Sequence, residues 1–180
     1  MKFKFCSIPA LATVALTTLF AASAFAAQAN PGEVFGKLLS GQEKQVVGLA
    51  EAMPADKYSF APSTGQFNGV RTFAQQLTHV AAAQYFFFGA FGVKPSIDPK
   101  SLEKLTSKEE VIKALKDSFE FAQKAAETMT AQNAFEEIQE RDGTNTRASI
   151  VAFSLAHTND HYGQMIEYLR MNGVVPPGSR

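Results

Sequence analysis

Residues 146–171, TRASIVAFSLAHTNDHYGQMIEYLRM, are the stretch whose reading decides the fold. Ile150, Phe153, Ser154, His157, His161, Gln164, Met165 and Tyr168 recur at spacings of three and four, which places them on one face of a helix. Asp142-Gly143-Thr144-Asn145 before the stretch is a turn signal with capping residues. Asn172-Gly173 and then Pro176-Pro177 close it in the order expected at a helix C-terminus. The spacing predicts a helix over about Thr146 to Met171.

Working outward, the same periodicity recurs three times. Val34, Phe35, Leu38, Leu39, Val46, Val47, Leu49 and Ala50 predict a helix from Gly32 to Met53, stopped by Pro54. Phe73, Leu77, Val80, Ala81, Gln84 and Phe87 or Phe88 predict one from Val70 to Phe91. Its end, Tyr85-Phe86-Phe87-Phe88, is apolar nearly all round, so it is buried among neighbours or lies at an interface such as a homodimer's. Ser107 with Glu110 is a capping box for a helix running through Val111, Leu115, Phe119, Ala122, Ala126 and Met129. Between the first two helices, Tyr58 and Phe60 are aromatic anchors in a loop expected to pack over one end of the molecule. Four amphipathic helices without an alternating strand pattern or an internal repeat predict an all-α four-helix bundle.

The N-terminus is expected to stand outside this domain. Lys2 and Lys4 precede an apolar run from Ile8 to Phe20 and the small residues Ala21 to Ala26, the pattern of a cleavable secretory signal peptide over residues 1–26. The run carries Thr13, Thr17 and Thr18 and is too short for a spanning helix, which needs ~20 apolar residues. The expectation is an exported protein, periplasmic or secreted, whose domain is residues 27–180. Cleavage removes Cys6, the single cysteine, so the mature chain has no disulfide to stabilise it and relies on its core. The whole sequence has 17 basic and 17 acidic residues; without Lys2 and Lys4, 15 basic stand against 17 acidic. No basic cluster remains, so neither nucleic acid nor, after cleavage, a membrane surface is an expected partner.

The chemistry sits in the three histidines. His157 and His161 are one helical turn apart, a spacing from which two imidazoles can converge on one ion. Both fall on the apolar stripe, taken here as facing inward, where an imidazole needs a partner for each ring nitrogen. His79, on the second helix with Thr72, Gln76, Ala83 and Phe86, supplies a third ligand if the second and fourth helices are neighbours. Thr158 follows the first histidine of the pair where a zinc protease carries its glutamate, which argues against peptide hydrolysis of that type. Gln76, Gln164, Asp160 and Tyr162 are the candidates for lining the site or supporting its ligands. Asp160 and Glu167 fall off the histidine face, which leaves no obvious general acid or base.

His157-Thr-Asn-Asp-His161-Tyr162-Gly163-Gln164, with Tyr168-Leu-Arg-Met-Asn-Gly-Val-Val-Pro-Pro177 behind it, resembles the C-terminal signature of DinB-like proteins. The Pro54 to Pro62 loop and the histidine in mid-helix two resemble that family as well, so the likeness runs from about Glu33 to Pro177. The resemblance implies a bundle in up-down-down-up order, often dimeric, with one divalent transition metal on His79, His157 and His161. Zinc, nickel, iron, cobalt and manganese all suit three imidazoles with open positions. It also implies a metal-dependent transferase or isomerase using a low-molecular-weight thiol; export, which removes the chain from a cytosolic thiol, brings in a hydrolase acting on a small molecule. The alternative is a non-catalytic, stress-related bundle that holds a metal or a small ligand.

Overall fold

The computed structural model describes residues 29–140 and 143–179, and the expected signal peptide lies outside them. Four helices make up the domain: α1 (Pro31–Ala52), α2 (Phe73–Gly89), α3 (Lys108–Glu127) and α4 (Arg147–Met171). Each start is set by a side chain that accepts an otherwise orphaned backbone N–H: Asn30, Thr72, Ser107 and Thr146. Thr72 and Thr146 form full capping boxes with Gln75 and Ser149. The cap at Thr72 starts α2 three residues later than its apolar periodicity suggests.

Each of α1 and α2 packs chiefly against α3 and α4. Leu39, Val46, Leu49, Phe73, Leu77, Phe88, Leu115, Phe119, Met129, Met165 and Leu169 fill the shared core. Val34, Leu38 and Phe153 do not join it, although their spacing places them on the apolar stripes, and neither does Phe86 on the His79 face; all four are exposed. The stripes are wider than the surface the neighbouring helices cover.

The 54–72 loop packs as its aromatics suggest. Tyr58 Oη donates to the Ala50 carbonyl at the end of α1 (2.8 Å), and its ring meets Phe73 edge-on at 5.3 Å. The Phe60 and Tyr58 carbonyls accept from Phe73 N (2.8 Å) and Ala74 N (2.9 Å), so the loop caps α2 a second time. Tyr168 on α4 contacts Phe60 and donates to the Arg71 carbonyl (3.0 Å), tying the loop to the last turns of α4.

One element departs from the all-helical expectation. β1 (Glu137–Glu140) and β2 (Gly143–Thr146) pair antiparallel, with Glu137 opposite Thr146 and Glu140 opposite Gly143. The turn signal before α4 therefore belongs to a β-hairpin whose second strand ends on the cap residue of α4. Among the described residues, no helix is long and apolar enough to cross a membrane.

Candidate metal centre

Two sets of buried polar bonds fix how α2 lies on α4. Near the C-terminal end of α2, Gln84 donates to Thr158 Oγ1 (3.3 Å) and accepts from Ser154 Oγ (2.8 Å). Toward its N-terminus, Gln76 donates to Gln164 Oε1 (2.9 Å) and meets His161. As residue numbers fall along α2 they rise along α4, so the two helices run antiparallel at this seam. Buried glutamines left without partners cost about 1–3 kcal/mol each, which penalises any slip in this register.

That register brings His79 opposite the i, i+4 pair. His79 Nε2 lies 3.1 Å from His157 Nε2, and His161 Nε2 lies 3.2 Å from the same atom. Each histidine offers one ring nitrogen to a cluster whose members all lie within 4.8 Å of one another. His161 is buried, while His79 and His157 are half-buried, so the cluster opens at the rim of the seam and not on the bundle axis. The expectation of an inward site is corrected in that respect: the stripe carrying the pair runs along the edge of the helix contact, where Phe153, one turn before His157, is 59% exposed.

The hydrogen bonds assign one tautomer. His161 Nδ1 lies 2.6 Å from Gln76 Oε1, an atom that can only accept, so Nδ1 carries the proton and Nε2 presents a lone pair. Gln76 Nε2 donates onward to Gln164, and Gln164 Nε2 donates to Asp160 Oδ2 (2.9 Å). Asp160 thus joins the site from off the histidine face, through a glutamine one turn further along α4. Tyr162 points elsewhere, its hydroxyl lying beside Gly178.

All three histidines favour the neutral form. Burial, then Arg71 and the other two histidines, lowers His79 to about 4. Burial and His157 lower His161 to about 4, against the opposing pull of Asp160. Burial also lowers His157. Neutral imidazoles are the form that binds a metal.

The donor set fits a metal ion. A protein-only network cannot satisfy three converging Nε2 atoms, because His157 Nε2 would have to serve both neighbours with at most one proton. His157 Nδ1 is buried without a hydrogen-bond partner, so a metal on its Nε2 would leave the Nδ1 proton unpaired, unlike that of His161. With metal–nitrogen bonds of ~2.0–2.1 Å, the nitrogens of a tetrahedral site lie ~3.3 Å apart, close to the 3.1 and 3.2 Å from His157 to its two neighbours, while His79 and His161 lie within 4.8 Å of each other. Three nearby histidines that could hold a metal ion are therefore present.

Other neighbours carry weaker signals in the sequence. Phe87 packs edge-on against His157 (5.4 Å) and Phe153 (5.3 Å), forming an aromatic wall on one flank. On the other flank, Arg71 and Glu103 share a cleft with His79. Arg71 precedes Gln75 by four residues and His79 by eight, a spacing in the sequence that could have drawn attention to it, although it lies ahead of the N-cap Thr72. Glu103 comes from a separate element and carries no such signal.

A four-helix bundle with three histidines gathered at one helix seam defines a class of potential metal-binding bundles. The model of the DinB superfamily matches residues 38–165, and the chain belongs to that superfamily. The fold is similar to the crystal structure of a DinB-like protein from Bacillus cereus ATCC 10987, with a TM-score of 0.70 and 16% identity, over 82% of this chain and 97% of that one. No curated protein matches the sequence.

Proposed function

We propose that His79, His157 and His161 hold one divalent transition metal, and that the chain is an exported, metal-dependent transferase or hydrolase acting on a small molecule. The convergence of three Nε2 atoms, with His161 locked by Gln76 so that its lone pair faces the cluster, is the observation that carries the reading. Three imidazoles with open positions admit zinc, nickel, iron, cobalt or manganese. When bound, such an ion supplies Lewis acidity, which lowers the pKa of a coordinated water or thiol.

The protein's own groups bind and orient. Gln76 holds the His161 ring, Gln164 holds Gln76, and Asp160 anchors the chain from solvent. Phe87 and Phe153 keep water from one side of His157. Export is supported by the sequence of residues 1–26. A homodimer is supported by Phe86 and Phe153, exposed at 61% and 59%. The up-down-down-up order is supported by α1 running antiparallel to α3, where Glu43 meets Gln123 and Glu51 meets Lys116, and by α2 running antiparallel to α4.

A non-catalytic metal- or ligand-binding bundle is the second reading. It is favoured by the engagement of Asp160, the carboxylate linked to the cluster, with Gln164, which leaves it exposed and off the triad. Elemental analysis of untagged protein from its native compartment tests the shared premise: about one transition metal per chain is expected, and its loss in His157→Ala. An enzyme then loses turnover with its fold intact, whereas a structural site loses thermal stability. Metal content unchanged by His157→Ala refutes both readings.

A further inference from the structure

Arg71, Gln75, Thr78, His79, Ala82 and Glu103 line a cleft of about 320 Å³ beside the triad. The volume lies at the small end of ligand pockets, which span about 300–1,000 Å³. Two of its polar side chains are already engaged: Gln75 Oε1 accepts from Thr72 N, and Thr78 Oγ1 donates to the Gln75 carbonyl. Arg71 and Glu103 differ. Each is exposed, and neither forms an ion pair or a side-chain hydrogen bond among the described residues, although both line the same space. The bond from Tyr168 Oη to its carbonyl fixes the Arg71 backbone at the mouth of α2. Its positive charge disfavours protonation of all three histidines, as expected of a guanidinium near the triad.

A cation and an anion that flank one small cleft without pairing to each other select for a ligand carrying both charges. A simple anion gains Arg71 but meets Glu103; a simple cation meets the reverse. A guanidinium also matches a carboxylate in a two-point, planar fork. We propose that the cleft binds the headgroup of a zwitterionic small molecule of amino-acid type, its carboxylate on Arg71, its ammonium on Glu103, and the rest of the molecule toward His79. The inference relies on the proposed metal reading for what the ligand faces, and on the cleft alone for the charge pairing.

Calorimetric titration with alanine, propionate and ethylamine tests it, since the last two each delete one charge of the first. Metal-free protein is titrated first, so that chelation of a metal by alanine plays no part, and zinc-loaded protein second. Alanine is expected to bind at least about tenfold more tightly than either analogue. R71Q and E103Q should each weaken alanine by a similar factor, while E103Q strengthens propionate. Both positions are exposed, and an unchanged melting temperature shows that the variants fold. Alanine binding no better than propionate, or indifferent to both substitutions, or absent from wild type, overturns the proposal. An Arg71- and Glu103-dependent alanine site in a protein that never takes up zinc supports it while sinking the metal reading. Zinc uptake with alanine indifferent to both substitutions sinks this proposal alone.

Discussion

Replacing Gln76 with methionine, of similar volume, separates a supporting residue from mere packing. Gln76 and His161 are 2% and 6% exposed, so water does not readily replace the lost acceptor at His161 Nδ1. In the metal-free protein, His161 can move its proton to Nε2 and donate to His157 Nε2, 3.2 Å away, and so avoid an unsatisfied N–H. With a metal on Nε2 that escape closes, and the buried Nδ1–H goes unpaired. The penalty of about 1–3 kcal/mol therefore falls on the bound state, as a loss of about 5- to 150-fold in metal affinity. Loss of a ligand's supporting partner generally costs 10- to 100-fold, in the same range. Competition with a chromophoric chelator at neutral pH measures it. Gln76→Glu, which keeps an acceptor at Nδ1, should retain the affinity. Wild-type affinity in Gln76→Met, or equal losses in both variants, would refute the reasoning.

Two further outcomes follow from the fold and the charges. Because His79 and His161 titrate at about 4 when folded and near 6.5 when unfolded, the unfolded chain binds more protons between those values. Metal-free protein should keep its full stability above about pH 6.5 and lose it progressively as pH falls toward 4; a melting temperature that rises over that interval contradicts the assignment. Gly32 faces α3 so closely that an added β-carbon would lie 2.9 Å from the Ala126 carbonyl oxygen and 3.0 Å from that of Met129. Gly32→Ala should cost about 1–3 kcal/mol in denaturant unfolding, despite alanine's better helix propensity, and a stabilised variant would show that α1 is not seated as described.

The helices were legible because each carries its own period, and α4 also carries its own stop in Asn172-Gly173. The i, i+4 histidines were legible for the same reason. What placed His79 against them was not. That depends on Gln84 meeting Ser154 and Thr158, and on Gln76 meeting His161 and Gln164, pairings between separate helices that periodicity does not encode. Local spacing also could not show that the histidine stripe runs along the edge of the seam, since stripe width says nothing about how much a neighbour covers. The strand pair was hidden because its two strands are only four residues each and mostly polar, and Gly143-Thr144-Asn145 reads equally well as a lead-in to a helix cap. Asp160 falls off the histidine face, yet Gln164 links its carboxylate to Gln76, a connection that facing alone does not reveal. Arg71 and Glu103 come to line one cleft only in the folded chain, one just ahead of α2 and the other on the connection to α3.

The central claim is that one ion sits among three named nitrogens, and anomalous diffraction at the absorption edge of the metal found in the native protein tests it most directly. The account predicts a single anomalous peak about 2.0–2.1 Å from the Nε2 atoms of His79, His157 and His161. No peak at the triad in metal-replete crystals, or a peak held by other side chains, would contradict it.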